Sequence, residues 1–117
     1  MPRDVRAYLY DIAEACQLVE DFTRGKSADD HAQDPLLRAG VERELEIVGE
    51  ALNQALRQHP AQLTGLFPEA PRIIAFRNRL AHGYASTVDE VVWTISQSNL
   101  PGLRARVEAL LRQLDAD

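Results

Sequence analysis

Thr87-Val88-Asp89-Glu90-Val91-Val92-Trp93-Thr94-Ile95 decides the fold, because it is the only stretch of this chain that competes for strand. Val91 to Ile95 taken alone has β propensity. Thr87 followed three residues later by Glu90 has the form of a capping box, and Val88, Val91, Val92 and Ile95 also fit one helical face. With no second strand candidate to pair with, the segment reads as the start of a helix, and the chain reads as all-α.

Working outward, every other apolar run has helical spacing. Val5, Tyr8, Leu9, Ile12, Cys16, Val19 and Phe22 recur every three or four residues and predict a first helix ending near Gly25. Lys26 to Gln33 reads as a polar connector. Asp34-Pro35 reads as an N-cap followed by proline at the first helical position. The second helix carries Val41, Leu45, Val48, Leu52 and either Ala55 or Leu56, and stops at His59-Pro60. Gly40 and Gly49 lie inside it although each costs about 1 kcal/mol relative to alanine. Close approach of another backbone is the usual reason, and a helix from a partner subunit is one candidate. Residues 60–71, with Pro60, Gly65, Pro68 and Pro71, read as a loop whose Leu63, Leu66 and Phe67 fold back onto the core. From Arg72, the positions Ile73, Ile74, Phe76, Leu80 and Ala81 give a third helix for Gly83 to cap. After Pro101, Leu103, Val107, Leu110, Leu111 and Leu114 mark the last helix. The expected architecture is an up-and-down antiparallel bundle of four to five helices in a single domain, residues 1–117.

The chain is 45% hydrophobic with a formal charge of −5, which argues against broad sequence-independent nucleic-acid binding. The distribution is more informative. Ala70 to Val88 contains no Asp or Glu, while Arg72, Arg77 and Arg79 make it locally +3 and leave −8 elsewhere. A chance clear stretch is the plain alternative, since arginine is abundant here. Cys16 is the only cysteine, so no intramolecular disulfide forms, and its apolar setting suggests a small buried hydrophobe. No apolar run approaches the 18 or so residues that span a bilayer, and no secretory leader is evident. A reducing cytoplasm is the expected compartment. A domain of this size gains from a partner that buries further surface, so oligomerisation is plausible on size alone.

The clear stretch contains Arg77-Asn78-Arg79-Leu80-Ala81-His82-Gly83-Tyr84, an Arg-x4-His-x-Tyr arrangement. Guanidinium matches the fork of phosphate oxygens, imidazole moves a proton near neutral pH, and phenol donates a hydrogen bond or accepts a covalent modification. Together they suit metal-free handling of a phosphodiester. On a continuous helix His82 is rotated by about 140° from Arg77, so a helix break at Gly83 or a second copy across a two-fold axis is needed to unite them. As structural alternatives, His82 suits a helix C-cap and Tyr84 a core aromatic. His31 and His59 have no spacing that suits zinc, and no metal or cofactor is expected. Trp93 reads as a core or interface aromatic.

The run Val41 to Ala51, with its Gly49-Glu50-Ala51, followed by Ile73 to Tyr84, resembles the HepT-like branch of the HEPN superfamily. Val88 to Trp93 and Leu100-Pro101-Gly102-Leu103 are similar as well, so the resemblance covers nearly the whole chain. It implies an all-α homodimer acting as the toxin of a bacterial toxin–antitoxin pair by metal-independent RNA cleavage. It also implies an MNT-type nucleotidyltransferase as antitoxin, which in some systems attaches AMP to the motif tyrosine. Residue by residue, the catalytic pair is Arg77 and His82, Asn78 is the polar residue after the arginine, and Tyr84 is the AMP acceptor. Glu50 matches the glutamate of Gly-Glu-Ala and is expected to support the site without a defined role. Arg72 and Arg79 are expected to bind RNA phosphates. A departure is Gly83, where a larger residue is common. The competing expectation is a catalytically inert helical dimer that binds a nucleotidyltransferase or a nucleotide.

Overall fold

Asp34 accepts hydrogen bonds from the backbone N–H groups of Leu36 and Leu37 at 3.0 and 3.1 Å, with Pro35 in the first turn, so the longest helix starts where its cap residues place it. In the computed structural model, which describes residues 3–81 and 89–116, the order is α1 (Val5–Thr23), α2 (Ala28–Gln33), α3 (Pro35–Gln58), α4 (Pro60–Leu63), α5 (Ala70–Ala81), α6 (Asp89–Thr94), a π-helical turn (Ile95–Asn99) and α7 (Leu100–Ala116). There is no strand among the described residues, so the ambiguous Val91–Ile95 segment is helical. Its expected cap, Thr87, lies outside the described residues.

Side-chain pairings give the topology. Tyr8 reaches Gln58 and Phe22 abuts Gly40, so α1 and α3 run antiparallel. Gly49 lies against Arg77 while Leu56 shares a groove with Ala70 and Pro71, so α3 and α5 run antiparallel. Tyr10 donates to Asp115 and Arg104 to Glu20, so α7 returns along α1. The core between them includes Leu9, Ile12, Leu45, Leu52, Ile73, Val92, Leu103 and Val107, each at most 1% exposed. Cutting one such leucine to alanine costs about 2–5 kcal/mol. Helix one ends as expected, with Gly25 at φ +74° past the last turn.

Several expectations are corrected. The polar connector holds α2, because Ser27 accepts from the Asp30 N–H at 3.1 Å while the Asp30 carboxylate accepts from the Ser27 N–H at 2.9 Å. Aspartate thus replaces the usual glutamate of a capping box. The proline-rich loop opens with the single turn α4, since Pro60 occupies a first-turn position that needs no N–H. Leu63 and Phe67 are buried as expected, but Leu66 is 42% exposed. Phe22 is likewise 38% exposed, at the end of the α1 stripe. α5 begins at Ala70, before Arg72, with Pro71 tolerated in its first turn.

Pro101 does not separate two helices. The ring has no N–H to give and crowds the carbonyl four residues back, and the preceding turn widens so that the Leu100 N–H bonds the Ile95 carbonyl. Helical backbone therefore runs without interruption from Asp89 to Ala116. Among the described residues, no helix is long and apolar enough to cross a membrane. Cys16 is buried, and desolvation pushes its thiol up to about 12, so it behaves as a hydrophobe and not as a nucleophile.

Candidate active site

Arg77 sits two turns into α5, where that helix crosses Gly49 of α3. A β-carbon built on Gly49 would lie 2.5 Å from the Arg77 Cβ and 2.9 Å from its Cγ. Real β-carbons do not approach so closely, so the glycine is what lets the arginine stem lie against α3. The close approach anticipated at Gly49 is therefore a side chain of the same chain, and a β-carbon built on Gly40 would likewise lie 3.3 Å from the Phe22 ring of α1.

Glu50, the next residue, catches the guanidinium: Arg77 Nη2 lies 2.6 Å from Glu50 Oε2. Arg77 Nη1 donates to Asn78 Oδ1 at 3.1 Å. Glu50 is held in turn by Gln54 Nε2, which donates to Oε1 at 2.5 Å. Tyr8 Oη on α1 donates to Gln58 Oε1 at 2.8 Å, with Gln54 Oε1 3.4 Å away. The Arg3 guanidinium covers the Tyr8 ring at 4.6 Å from its centroid. A file of polar groups thus runs from α1 through α3 to Arg77, and its effect is to fix one guanidinium.

Two grooves flank this pair. A groove of about 280 Å³ is lined by Arg3, Asp11, Arg43, Glu46 and Arg77. Its charges are balanced, because Arg3 pairs with Asp11 at 3.1 Å and Arg43 with Glu46 at 3.7 Å. On the other side a groove of about 470 Å³ is lined by Glu50, Asn53, Gln54, Arg57 and Gln58.

Of the residues expected from sequence, the structure brings together Arg77, Asn78 and Glu50. Arg72 and Arg79 are exposed on α5. Their helical positions are 140° and 160° around the axis from Arg77, so they stand apart from its cluster, at about 100° per residue. His82 and Tyr84 lie outside the described residues, as does Gly83. Sequence reasoning gave Glu50 no defined role and did not single out Gln54. The signal for the first was present in Gly49-Glu50, a helix-interior glycine beside an acid, opposite an arginine-bearing helix. Gln54 and Tyr8 left no such signal, since amides and tyrosines at helical spacing are common on surfaces.

Among the described residues the chain is all-helical and seats an arginine by a carboxylate, and in the sequence a histidine follows that arginine by five residues and a tyrosine by seven. The family model described as "Ribonuclease HepT-like" matches residues 12–110, and the chain belongs to that family. The protein named "Probable ribonuclease HepT" from Thermococcus cleftensis is 35% identical, with 94% of this chain and 98% of the relative covered. Two proteins of Methanocaldococcus jannaschii, named as candidate RNases, are 29% and 32% identical, over 100% and 91% of this chain and 96% and 95% of their own lengths. No solved structure matches the chain closely enough to count as a relative.

Proposed function

We propose that this protein is a metal-independent endoribonuclease and the toxin of a toxin–antitoxin pair, working as a homodimer in the cytoplasm. The observation that carries the reading is the seated guanidinium of Arg77 at the head of the Arg-x4-His-x-Tyr sequence, in a chain of the HepT-like ribonuclease family.

His82 takes the proton of an RNA 2′-hydroxyl, and the alkoxide attacks the adjacent phosphorus. Arg77 stabilises the charge that gathers on the phosphoryl oxygens with the N–H groups that Glu50 and Asn78 leave free. The bond from phosphorus to the 5′-oxygen breaks, and that oxygen takes a proton from His82 of the partner subunit or from water. The products are a 2′,3′-cyclic phosphate and a 5′-hydroxyl. DNA lacks the attacking group and survives. Arg72 and Arg79, exposed and away from Arg77, serve more distant phosphates of the strand.

The partner in this reading is an MNT-type nucleotidyltransferase that silences the toxin by binding it and by transferring AMP to Tyr84. An AMP group beside Arg77 and His82 blocks phosphate entry by bulk and by like charge.

The test is cleavage of single-stranded RNA by purified protein in EDTA, with end-group analysis. Cyclic-phosphate ends from wild type, lost in Arg77→Ala and His82→Ala, support the nuclease. Intact RNA, together with normal growth on overproduction, overturns it in favour of an inert nucleotidyltransferase-binding dimer. Incubation with ATP and the nucleotidyltransferase tests the switch, which fails if no AMP-sized mass appears or if it persists in Tyr84→Phe.

A further inference from the structure

We infer that the groove lined by Asn53, Gln54, Arg57 and Gln58 reads the bases of the single-stranded RNA that adjoins the cleaved phosphate. This deepens the nuclease reading and rests on it for the identity of the strand.

The groove is contiguous with the reacting centre, because Glu50 lines both it and the groove that holds Arg77. From Glu50 the positions Asn53 and Arg57 follow at i+3 and i+7, and Gln54 and Gln58 at i+4 and i+8. They form two adjacent rows on one face of α3 that lead about 12 Å away from the Arg77 pair along the helix axis. Beyond Glu50 the lining is amide and guanidinium, the groups that suit nucleobases. A carboxamide offers a donor and an acceptor on one plane and so matches the edge of a base, and a guanidinium stacks on a base or binds phosphate.

What distinguishes this groove from its neighbour is the freedom of its groups. The Arg3 and Arg43 cations on the other side are already paired with Asp11 and Glu46. Here Glu50 is neutralised by Arg77, and Arg57 is without a carboxylate partner among the described residues. Tyr8 donates to the side-chain oxygen of Gln58, and the amide nitrogen of Gln58 has no hydrogen-bond partner among the described residues. Gln54 is committed to Glu50, which leaves Asn53, Arg57 and Gln58 to meet the strand.

The probe is a set of 2′-O-methylated single strands of A, C, G and U, about a dozen nucleotides long, which bind without being cut. Anisotropy titrations of wild type should rank the four bases. The Asn53→Ala/Gln58→Ala double variant should lose about tenfold in affinity for the preferred base, the scale of one amide–base pair, and should bind the four alike. Arg57→Ala should weaken all four in parallel. An unchanged ranking in the double variant overturns the inference. So does conversion of the variant to a smaller species in sedimentation, which would make the groove an interface between copies. Thermal unfolding confirms the fold of each variant, since alanine suits these helix-surface positions. The two readings fail separately. Base-ranked binding without cleavage of unmodified RNA removes the nuclease and leaves the groove, and cleavage with a ranking indifferent to Asn53 and Gln58 does the reverse.

Discussion

Glu50 of α3 holds the guanidinium of Arg77 on α5 at 2.6 Å, across a crossing that Gly49 keeps open. The arginine is therefore restrained at both ends, its stem by packing and its head by a carboxylate that Gln54 braces. Pre-positioning matters because a flexible guanidinium must be ordered at the moment charge develops, and ordering opposes catalysis.

Removing Arg77 should lower kcat about 10²- to 10³-fold, the cost of losing one oriented donor to a developing oxyanion. Glu50→Ala should lower kcat about tenfold through loss of orientation, with less change in KM, and Glu50→Gln should keep part of the rate because it retains an acceptor. The pair is partly exposed, so stability should move by no more than about 1 kcal/mol. Rate and melting curves on the three variants check this, and equal losses in kcat and in stability would make Glu50 merely structural.

Gly49→Ala should damage activity from outside the chemistry. The new methyl meets the Arg77 Cβ at 2.5 Å, and that atom is tied to the α5 backbone, so the helices must part or the arginine must turn. The gain of about 1 kcal/mol from replacing a helical glycine is offset by about 1–3 kcal/mol of overpacking. The expected result is a slightly lower melting temperature with a much reduced cleavage rate. Gly40→Ala is the control, because the 3.3 Å contact there is with the edge of a half-exposed Phe22 ring that can give way.

The long helices were legible because their signals are local. Asp34-Pro35 caps α3, Gly25 ends α1, and the apolar stripes at three- and four-residue spacing became the core. Pro101 misled because the penalty for a mid-helix proline can be relieved by one widened turn, and that relief depends on tertiary packing. α2 was missed because a six-residue helix has no room for periodicity, and its Ser27–Asp30 cap uses the shorter acid. At the site, Arg77, Asn78 and Glu50 were named from the motif order. The link between Glu50 and Arg77 was not, because it joins residues 27 apart in sequence whose meeting depends on how α3 crosses α5. The glycine that marks the crossing is visible in sequence as a site of close approach, with a partner subunit's helix as one candidate for the neighbour, whereas the neighbour is Arg77 of the same chain.

His31 should make stability depend on pH. It is fully buried against Trp93, the ring centroids 5.5 Å apart, and neither nitrogen has a hydrogen-bond partner among the described residues. Burial pushes the imidazole below its ordinary 6.5, with Asp89 opposing and Arg38 adding to the shift. The unfolded chain therefore takes up a proton below about pH 6.5 that the folded chain refuses, and stability falls as pH drops from there towards the lowered value. His31→Leu should remove this component below about pH 6.5 while leaving stability at pH 7 equal or higher, since two buried polar atoms without a partner among the described residues disappear. Urea titrations of both proteins across that range decide it, and parallel pH profiles would acquit His31.

The dimeric reading of the motif makes a separable prediction. In a composite site the arginine of one chain works with the proton-accepting histidine of the other, and water protonates the leaving oxygen. Arg77→Ala and His82→Ala proteins are then each inactive, but a mixture allowed to exchange subunits forms heterodimers in which one of the two sites has both groups. With random exchange, half of the dimers are mixed and each carries one of two sites, so about a quarter of wild-type activity should return. Recovery that grows with the time of mixing supports the composite site, whereas permanent inactivity assigns both groups to a single chain.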